Sequence, residues 1–238
     1  MNRPKITLRA AREEDAPIVA MAVALAIGVE EALHDYCGED YLDVLTKLAL
    51  AENTQYSWRY AIVAECDGVA VGAVVGYDGA RLQELREGTF AILRREVGRI
   101  PNIDDETEAG EYYLDSVAVV PEFRGCGVGA ALVNAFCERA FAEGAECVGL
   151  IVEEENVDAE KLYLSQGFTQ VGERLFFGHQ MHHLQKSRKS LSATPQVYNR
   201  INSLVDVYEV HCWRHTWTLI RESTSNKDPH TEVKMWSR

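Results

Sequence analysis

Hydrophobic residues follow two different spacings along the first 186 residues of the chain. A spacing of three or four residues predicts amphipathic helices, whereas short β-branched and aromatic runs predict strands. Helices are predicted at residues 15–29, 41–51, 82–97, 127–143 and 157–166. Strands are predicted at residues 5–9, 60–66, 69–77, 112–120, 147–152 and 168–177, the last of which ends the pattern. Strands and helices alternate in the second half, which indicates an α/β fold.

Two local features refine this pattern. Asp67-Gly68 separates two β-rich runs and predicts a hairpin with a two-residue turn. The longest apolar run, residues 16–29, is shorter than the roughly 20 residues that a membrane-spanning helix needs, and acidic residues flank it on both sides. It therefore predicts a buried helix, and we expect no membrane partner.

The charge of the chain is acidic and unevenly distributed. The formal net charge of −13 argues against nucleic acid or an anionic membrane as the main partner. Residues 1–186 carry a net charge of −16, whereas residues 187–238 carry +3 and begin with a polar run. We therefore predict one domain at residues 5–186 and a C-terminal extension at residues 187–238. In the extension, Trp213 and Trp217 stand at helical spacing within a β-rich run, and the end of the chain is predicted to be disordered.

The cysteines bear on the cellular compartment. Six are present, at positions 37, 66, 126, 137, 147 and 212, without a C-x-x-C pair. No secretory leader is recognisable at the start of the sequence. We expect reduced thiols and a cytoplasmic protein.

A glycine-rich turn between a predicted strand and a predicted helix carries the chemistry. Gly125, Gly127 and Gly129 allow a tight turn and close approach of the backbone to a ligand. The first amides of the following helix lack intrahelical partners, and the helix dipole favours an anion there. Arg124 adds a cation that can bind phosphate in a bidentate manner. The turn predicts a site for a pyrophosphate or another anion, with tight helix–strand packing as the alternative.

Two other phosphate motifs fit less well. A P-loop requires Lys followed by Ser or Thr, but Ala130 and Ala131 follow the last glycine. A dinucleotide-binding fingerprint matches formally, but four residues separate the strand from Gly125. Its ribose-binding acid should stand about 20 residues further on, whereas Glu153 lies 28 residues past Gly125.

The turn also matches an acetyl-CoA motif: Arg or Gln, two residues, Gly, one residue, and Gly or Ala. Arg124, Gly127 and Gly129 fill this motif, after a lead formed by Val119 and Pro121. In this it resembles the GCN5-related N-acetyltransferase (GNAT) superfamily. A second motif of that family follows at the expected distance: Asn156, six residues, Tyr163, and Gly167-Phe168.

The resemblance covers about residues 5–186 and implies the fold. A GNAT-like α/β fold has a mixed, splayed β-sheet flanked by helices, and acetyl-CoA lies where two parallel strands part. Backbone groups of residues 115–119 would bind the pantetheine arm, and amides of residues 125–130 would bind the pyrophosphate. The cofactor-binding residues implied are Val117, Ala118, Val119, Arg124, Gly125, Cys126, Gly127, Val128, Gly129, Ala130 and Asn156.

The resemblance also implies catalytic residues. Tyr163 matches the general acid that protonates the CoA thiolate, and its alternative role is core packing. The attacking amine must lose a proton, since an alkylamine with a pKa near 10.4 is almost fully charged at neutral pH. Asp115 occupies the place of the general base, with Glu111 as second choice, and a cap or an ion pair is the alternative role of Asp115. Asn156 could also cap its helix.

The predicted function is an acetyl-CoA-dependent N-acetyltransferase that acts by direct transfer, with acetyl-CoA as co-substrate and no metal. The histidines at 179, 182 and 183 are interpreted as a solvated strand end. The acceptor is an amine, either a small molecule or a peptide. Acidic residues 104–108 and 153–155 would favour a cationic one, with a solvated acidic face as the equal alternative. A homodimer is compatible with the sequence. The alternative function is a non-catalytic acyl-CoA-binding or regulatory module.

Overall fold

The computed structural model describes residues 5–188, which form a seven-stranded mixed sheet with helices on both faces. The strand order across the sheet is β1-β2-β3-β4-β5-β7-β6. The strands are β1 (Ile6–Ala10), β2 (Ala61–Cys66), β3 (Val69–Asp78), β4 (Tyr112–Val119), β5 (Cys147–Glu153), β6 (Thr169–Phe176) and β7 (His179–Ser187). Neighbouring strands are antiparallel except β4 and β5, which are parallel. The predicted mixed sheet flanked by helices is confirmed.

The helices lie between these strands. They are α1 (Ala16–Ile27), α2 (Glu30–Cys37), α3 (Tyr41–Leu50), α4 (Leu82–Glu96), α5 (Val128–Ala142) and α6 (Val157–Ser165). Gly28 adopts a positive φ of 72° and ends α1, because this backbone conformation suits glycine at a helix C-terminus. No helix within residues 5–188 is long and apolar enough to cross a membrane.

Two hydrophobic clusters cover the two faces of the sheet. One joins α5 to alternate residues of β2 and β4, including Ile62 and Leu114. The other joins α1, α2 and α3 to residues on the opposite face of β2 and β3, including Val63 and Val75. Because side chains alternate along a strand, β2 and β3 supply buried residues to both clusters. The gap between β4 and β5 is therefore flanked by a helical layer on each face.

The structure differs from the predicted pattern in two elements. The helix predicted at residues 15–29 is present as α1, whereas α2, which follows it directly, was not predicted. The strand at residues 169–176 is not the last one, because β7 follows and inserts between β5 and β6. Most residues of β7 are polar, so this segment lacks the alternation of apolar and polar residues by which a strand is recognised. Ser187, predicted to begin the extension, still pairs with Cys147 of β5.

The cysteines of the described residues differ in state. Cys37, Cys66, Cys137 and Cys147 are free thiols. Burial raises the pKa of Cys37 to about 12 and that of Cys137 to about 11, so these two thiols act as packing groups. Cys126 is disulfide-bonded, so the reduced state predicted for this residue is wrong.

Candidate active site

The sheet splits between β4 and β5. These strands pair only at Tyr112 with Val148 and at Tyr113 with Gly149. Beyond this point β4 continues beside β3 alone, so its other edge is open. An open strand edge presents unpaired backbone N–H and C=O groups that a ligand can bind.

The backbone groups on this open edge can be assigned from the alternation of the strand. The Val120 N–H donates to the Val71 carbonyl of β3 at 2.9 Å. Because successive residues point to opposite edges, the N–H and C=O groups of Val119 and Val117 point away from β3. This is the edge at which the resemblance to the GNAT superfamily predicts the pantetheine arm.

A glycine turn follows β4 and leads into α5. Gly125 and Gly127 have φ values of 70° and 83°, a region that glycine adopts without steric cost. The first intrahelical bond joins the Ala131 N–H to the Gly127 carbonyl at 3.0 Å, which leaves the earlier amides of α5 without partners in the helix. No side chain caps this end, and no acidic residue stands in the first turn. The helix therefore presents an uncapped N-terminus suited to an anion.

Arg124 lies between the open strand edge and this helix. Its Nε donates a 2.9 Å hydrogen bond to the Val119 carbonyl. The bond holds the exposed guanidinium beside the glycine turn and leaves the terminal NH₂ groups to bind a phosphate. It also takes up one acceptor site on the Val119 carbonyl, so Val117 is the freer of the two backbone positions predicted for the pantetheine arm.

Gly129 marks the place where α5, α6 and β4 meet. A Cβ at this position would lie 3.7 Å from Leu162 Cδ2 and 3.9 Å from Val119 Cγ2, which are ordinary contacts. Packing within the protein therefore allows alanine here, in agreement with the Gly-or-Ala position of the motif.

Asn156 caps α6. Its Oδ1 accepts a hydrogen bond of 3.2 Å from the Ala159 N–H. Asn156 thus has the capping role that was one of its two predicted roles. Its side-chain NH₂ group remains available for a second contact. The cap fixes the start of the helix that carries Tyr163.

Tyr163 is buried in the cluster formed with α5. Its ring packs edge-on against Phe168 at a centroid distance of 5.9 Å. Burial raises the pKa of Tyr163 to about 12, so the phenol is protonated at neutral pH. The packing role and a proton-donating role are therefore compatible in one residue.

Asp115 lies in a β-bulge of β4. On the neighbouring strand, Val75 pairs with Ser116 and Gly76 with Leu114, which leaves Asp115 opposite no residue. A bulge turns a side chain away from its normal alternation, and such bulges occur beside active sites. Asp115 is half-buried close to the split of the sheet.

The carboxyl group of Asp115 titrates near neutrality. Burial, followed by the negative charge of Glu106, raises its pKa to about 7. A 2.8 Å hydrogen bond from Ser116 Oγ and the charge of Arg86 act in the opposite direction but are weaker. A carboxylate with this pKa can accept a proton at physiological pH far better than an ordinary aspartate.

The chain is similar to a known family of acetyltransferases. The family model described as "Acetyltransferase (GNAT) family" matches residues 28–168. The chain belongs to the GNAT acetyltransferase family. A search of curated protein sequences finds no match to it.

Solved structures of acetyltransferases share its fold. One described as an acetyltransferase is 30% identical, with a TM-score of 0.64, over 76% of this chain and 98% of that chain. An N-acetyltransferase from Staphylococcus aureus Mu50 is 23% identical, with a TM-score of 0.63, over 75% and 99%. The yncA protein of Salmonella typhimurium, solved with its cofactor acetyl-CoA, is 19% identical, with a TM-score of 0.53, over 79% and 97%.

In this GNAT acetyltransferase the second candidate for the base, Glu111, has a different environment. Burial alone would raise its pKa, but hydrogen bonds from His183, Thr107 and Gln185 hold the pKa below its ordinary value. The three contacts measure 2.9, 2.7 and 2.8 Å. A carboxylate so fully bonded is a poor proton acceptor, so the geometry favours Asp115 over Glu111.

The histidines of β7 are bound to carboxylates. His179 contacts Glu153 at 2.6 Å, and His182 contacts Glu160 at 2.8 Å. His183 is buried, so the prediction of a solvated strand end is wrong for this residue. Within residues 5–188, no group of three or more His, Cys, Asp or Glu side chains comes close enough to hold a metal ion.

The acidic segment 104–108 is largely tied into the fold of this acetyltransferase. Asp105 and Glu106 both pair with Arg86 of α4, and Glu108 pairs with Arg174 at 3.1 Å. Only Glu106 among these acids is buried, whereas Asp104, Asp105 and Glu108 stay exposed, so the segment still presents an acidic surface to solvent.

Sequence reasoning missed a buried network beneath Asp115. Tyr77 donates to Glu106 Oε1 at 2.8 Å, and Gln55 Nε2 donates to the same oxygen at 2.6 Å. Burial raises the pKa of Glu106 despite the opposing charge of Arg86. Nothing in the sequence signals this network, because its members lie on four separate segments.

Proposed function

We propose that this acetyltransferase acts on amines, and that acetyl-CoA donates the acetyl group directly to the amine nitrogen. The observation that supports this most strongly is the continuity of three features: the open edge of β4, the Arg124 side chain, and the uncapped N-terminus of α5. Together they form a strand-like surface for an extended arm that ends in a site for phosphate.

The chemistry of these residues suits acetyl-CoA. The N–H and C=O groups of Val117 would pair with the amides of the pantetheine arm. The guanidinium of Arg124 and the free amides at the start of α5 would bind the pyrophosphate. When bound there, acetyl-CoA supplies an activated acyl group as a thioester.

Asp115 is the proposed proton acceptor for the incoming amine. Most of an alkylamine is charged at neutral pH, so a base must take up a proton before or during attack on the thioester. The pKa of about 7 lets the Asp115 carboxylate do this, directly or through a water. The amine proton thus goes to Asp115 as the carbon–nitrogen bond forms.

Tyr163 is the proposed proton donor for the departing sulfur. The carbon–sulfur bond breaks with both electrons on sulfur, and the buried phenol can donate to that charge. Its pKa of about 12 lies above that of a free thiol, about 8.5, so complete proton transfer is uphill and the contribution is modest. Asp115 and Tyr163 thus act on opposite ends of one displacement.

A direct assay tests this function. Isothermal calorimetry should show acetyl-CoA binding to the full chain, and thiol release should depend on an added primary amine. A panel of small amines, polyamines and peptides provides the acceptors. Tight binding without release of thiol on any amine would instead favour a non-catalytic acyl-CoA-binding module.

A further inference from the structure

The β6–β7 turn carries a large aromatic residue in an unfavourable backbone conformation. Phe177 and Gly178 form this two-residue turn with φ values of 50° and 78°, and Phe176 pairs with His179 on either side of it. Positive φ values at both central residues define the type I′ turn, one of the two turn types that hairpins favour. Its first central residue is usually Asn, Asp or Gly. A bulky residue at positive φ is a genuine outlier and points to a functional constraint.

The same chain contains a matched example without this strain. The β2–β3 hairpin turns at Asp67-Gly68 with φ values of 49° and 83°, the same geometry, and with residues that suit it. The two turns differ in the side chain at the first position. The turn alone therefore does not account for phenylalanine at position 177.

What the phenylalanine ring does is bridge two elements. Phe177 contacts Tyr36 of α2 edge-on, at a centroid distance of 6.0 Å, although 40% of the Phe177 surface remains exposed. Tyr36 in turn shares a buried 2.9 Å hydrogen bond between hydroxyl groups with Tyr56. The ring of Phe177 thus extends a packed aromatic group of α2 outward to the tip of the hairpin.

This bridge crosses the split of the sheet. The β6–β7 turn lies beside Glu153, at the carboxyl end of β5, because His179 contacts that residue. Tyr36 and Tyr56 belong to the cluster that packs on β2 and β3 and extends to Ala118 of β4. Burial is the main cause of the raised pKa of both tyrosines, and the negative charge of Asp115 adds to it, which indicates that this carboxyl lies near them. The Phe177–Tyr36 contact therefore spans the side from which an amine would approach Asp115.

We propose that Phe177 and Tyr36 form an aromatic bridge that closes the acceptor side of the split, so that the acceptor is a compact small-molecule amine. This inference rests on the proposed function and specifies its substrate class. A compact amine can pack its body against the rings and reach Asp115 beneath them. An extended peptide would have to cross the split between α2 and the β6–β7 turn, where the bridge stands.

The test uses the full chain and its Phe177→Asn variant. This substitution removes the ring and introduces a residue that the turn prefers. The acceptors are phenethylamine and a hexapeptide with a free N-terminus, both compared by kcat/KM. The parent should prefer the amine, and the variant should lose at least about tenfold of this preference. Phe177→Asn should melt at or above the temperature of the parent, since asparagine relieves the strained turn.

Two controls separate the bridge from the hairpin. Phe177→Tyr keeps the ring and should keep the preference of the parent. Leu175→Asn, at an exposed position of the same hairpin, should leave the preference unchanged. A preference in Phe177→Asn equal to that of the parent, or a parent that acetylates the peptide as well as the amine, would overturn the bridge while the transferase stands. Absence of turnover on every amine, with acetyl-CoA bound, would overturn the proposed function and the bridge with it.

Discussion

The carboxylate of Glu111 occupies the space that a side chain at Gly149 would enter. Gly149 pairs with Tyr113 in the last rung that joins β4 to β5, so this contact stands where the sheet begins to split. Three side chains hold the carboxylate in place from the β7 strand and from the loop before β4. Glu111 is thus better explained as the anchor of the split than as a base within it.

Gly149→Ala should destabilise the protein by about 1–3 kcal/mol, because the new methyl group forces Glu111 off its partners. Gly172→Ala provides a matched control, since a Cβ on this strand glycine meets no atom within 4 Å. The free energy of unfolding from urea titration measures both. Equal stability of the two variants would show that Glu111 can move at little cost.

Arg124→Ala should weaken acetyl-CoA binding while the fold stays intact. A charge-assisted contact to phosphate contributes about 1.5–3 kcal/mol, or roughly ten- to a hundredfold in Kd. Arg94→Ala removes an exposed arginine from α4, away from the glycine turn, and should leave Kd unchanged. Calorimetry gives both values, and an unaltered affinity in folded Arg124→Ala would move the pyrophosphate elsewhere.

Asp115→Asn should abolish the pH dependence that the base imparts. In the parent, kcat corrected for ionisation of the amine should rise with pH and level off above about 7, since only the carboxylate accepts a proton. The variant should lose this step and about 10²-fold or more of kcat. A parent profile that is flat between pH 5 and 9 would assign the base to another group.

Asp115→Asn, which should lower kcat, should raise the stability of the protein. A carboxyl whose pKa is raised on folding, here from 3.8 to about 7, stabilises the protein at low pH and loses that contribution as pH rises through this interval. Asp115→Asn should therefore gain in melting temperature relative to the parent between pH 4 and 7 and hold the gain above pH 7. Asp67→Asn, in the exposed β2–β3 turn, should show no such trend.

The described domain should fold without the chain that follows it. Arg188 still belongs to the sheet region, because its N–H donates to the Glu146 carbonyl at 2.8 Å. A chain that ends at Arg188 should be soluble, melt cooperatively and bind acetyl-CoA. A cut after residue 180 would remove most of β7, which lies between β5 and β6, and should prevent folding. Failure of the longer chain to fold would place residues beyond 188 in the core.

The parts of the site that the sequence predicted are local ones. The strand, the glycine turn and the helix start occur within about 20 consecutive residues, so the local sequence is enough to predict a phosphate site there. Asn156 and Tyr163 likewise lie within one turn and one helix. The roles of these residues remain predictions, whereas the fold that joins them is confirmed.

The parts that the sequence did not predict depend on distant partners. The bulge at Asp115 is set by its register against β3, and the raised pKa of Asp115 depends partly on Glu106 from another loop. Glu106 is the one buried acid of residues 104–108, and its partner Arg86 stands 20 positions earlier in the chain, so the local sequence does not indicate its burial. β7 carries polar residues whose partners lie on other elements, so it lacks the apolar alternation by which strands are recognised.

Tyr163→Phe separates a proton donor from a packing residue. The ring contact with Phe168 remains in the variant, and the hydroxyl that is lost has no hydrogen-bond partner within residues 5–188, so the free energy of unfolding should change by less than about 1 kcal/mol. Acetyl-CoA affinity should also stay close to that of the parent, because the lost group acts on sulfur only as the thioester bond breaks. Turnover of an accepted amine should fall by at least about tenfold.

The size of this deficit should depend on the leaving group. General acids contribute about 10²- to 10⁴-fold, but a phenol with a pKa near 12 can only partly protonate a thiolate whose thiol has a pKa near 8.5, so the lower end is expected. An acetyl thioester of a more acidic thiol needs less help and should narrow the gap between parent and variant. Tyr113→Phe, at a buried tyrosine of β4, is the matched control and should turn over as the parent does. A deficit shared by both variants, or one independent of the thiol, would assign Tyr163 to packing alone.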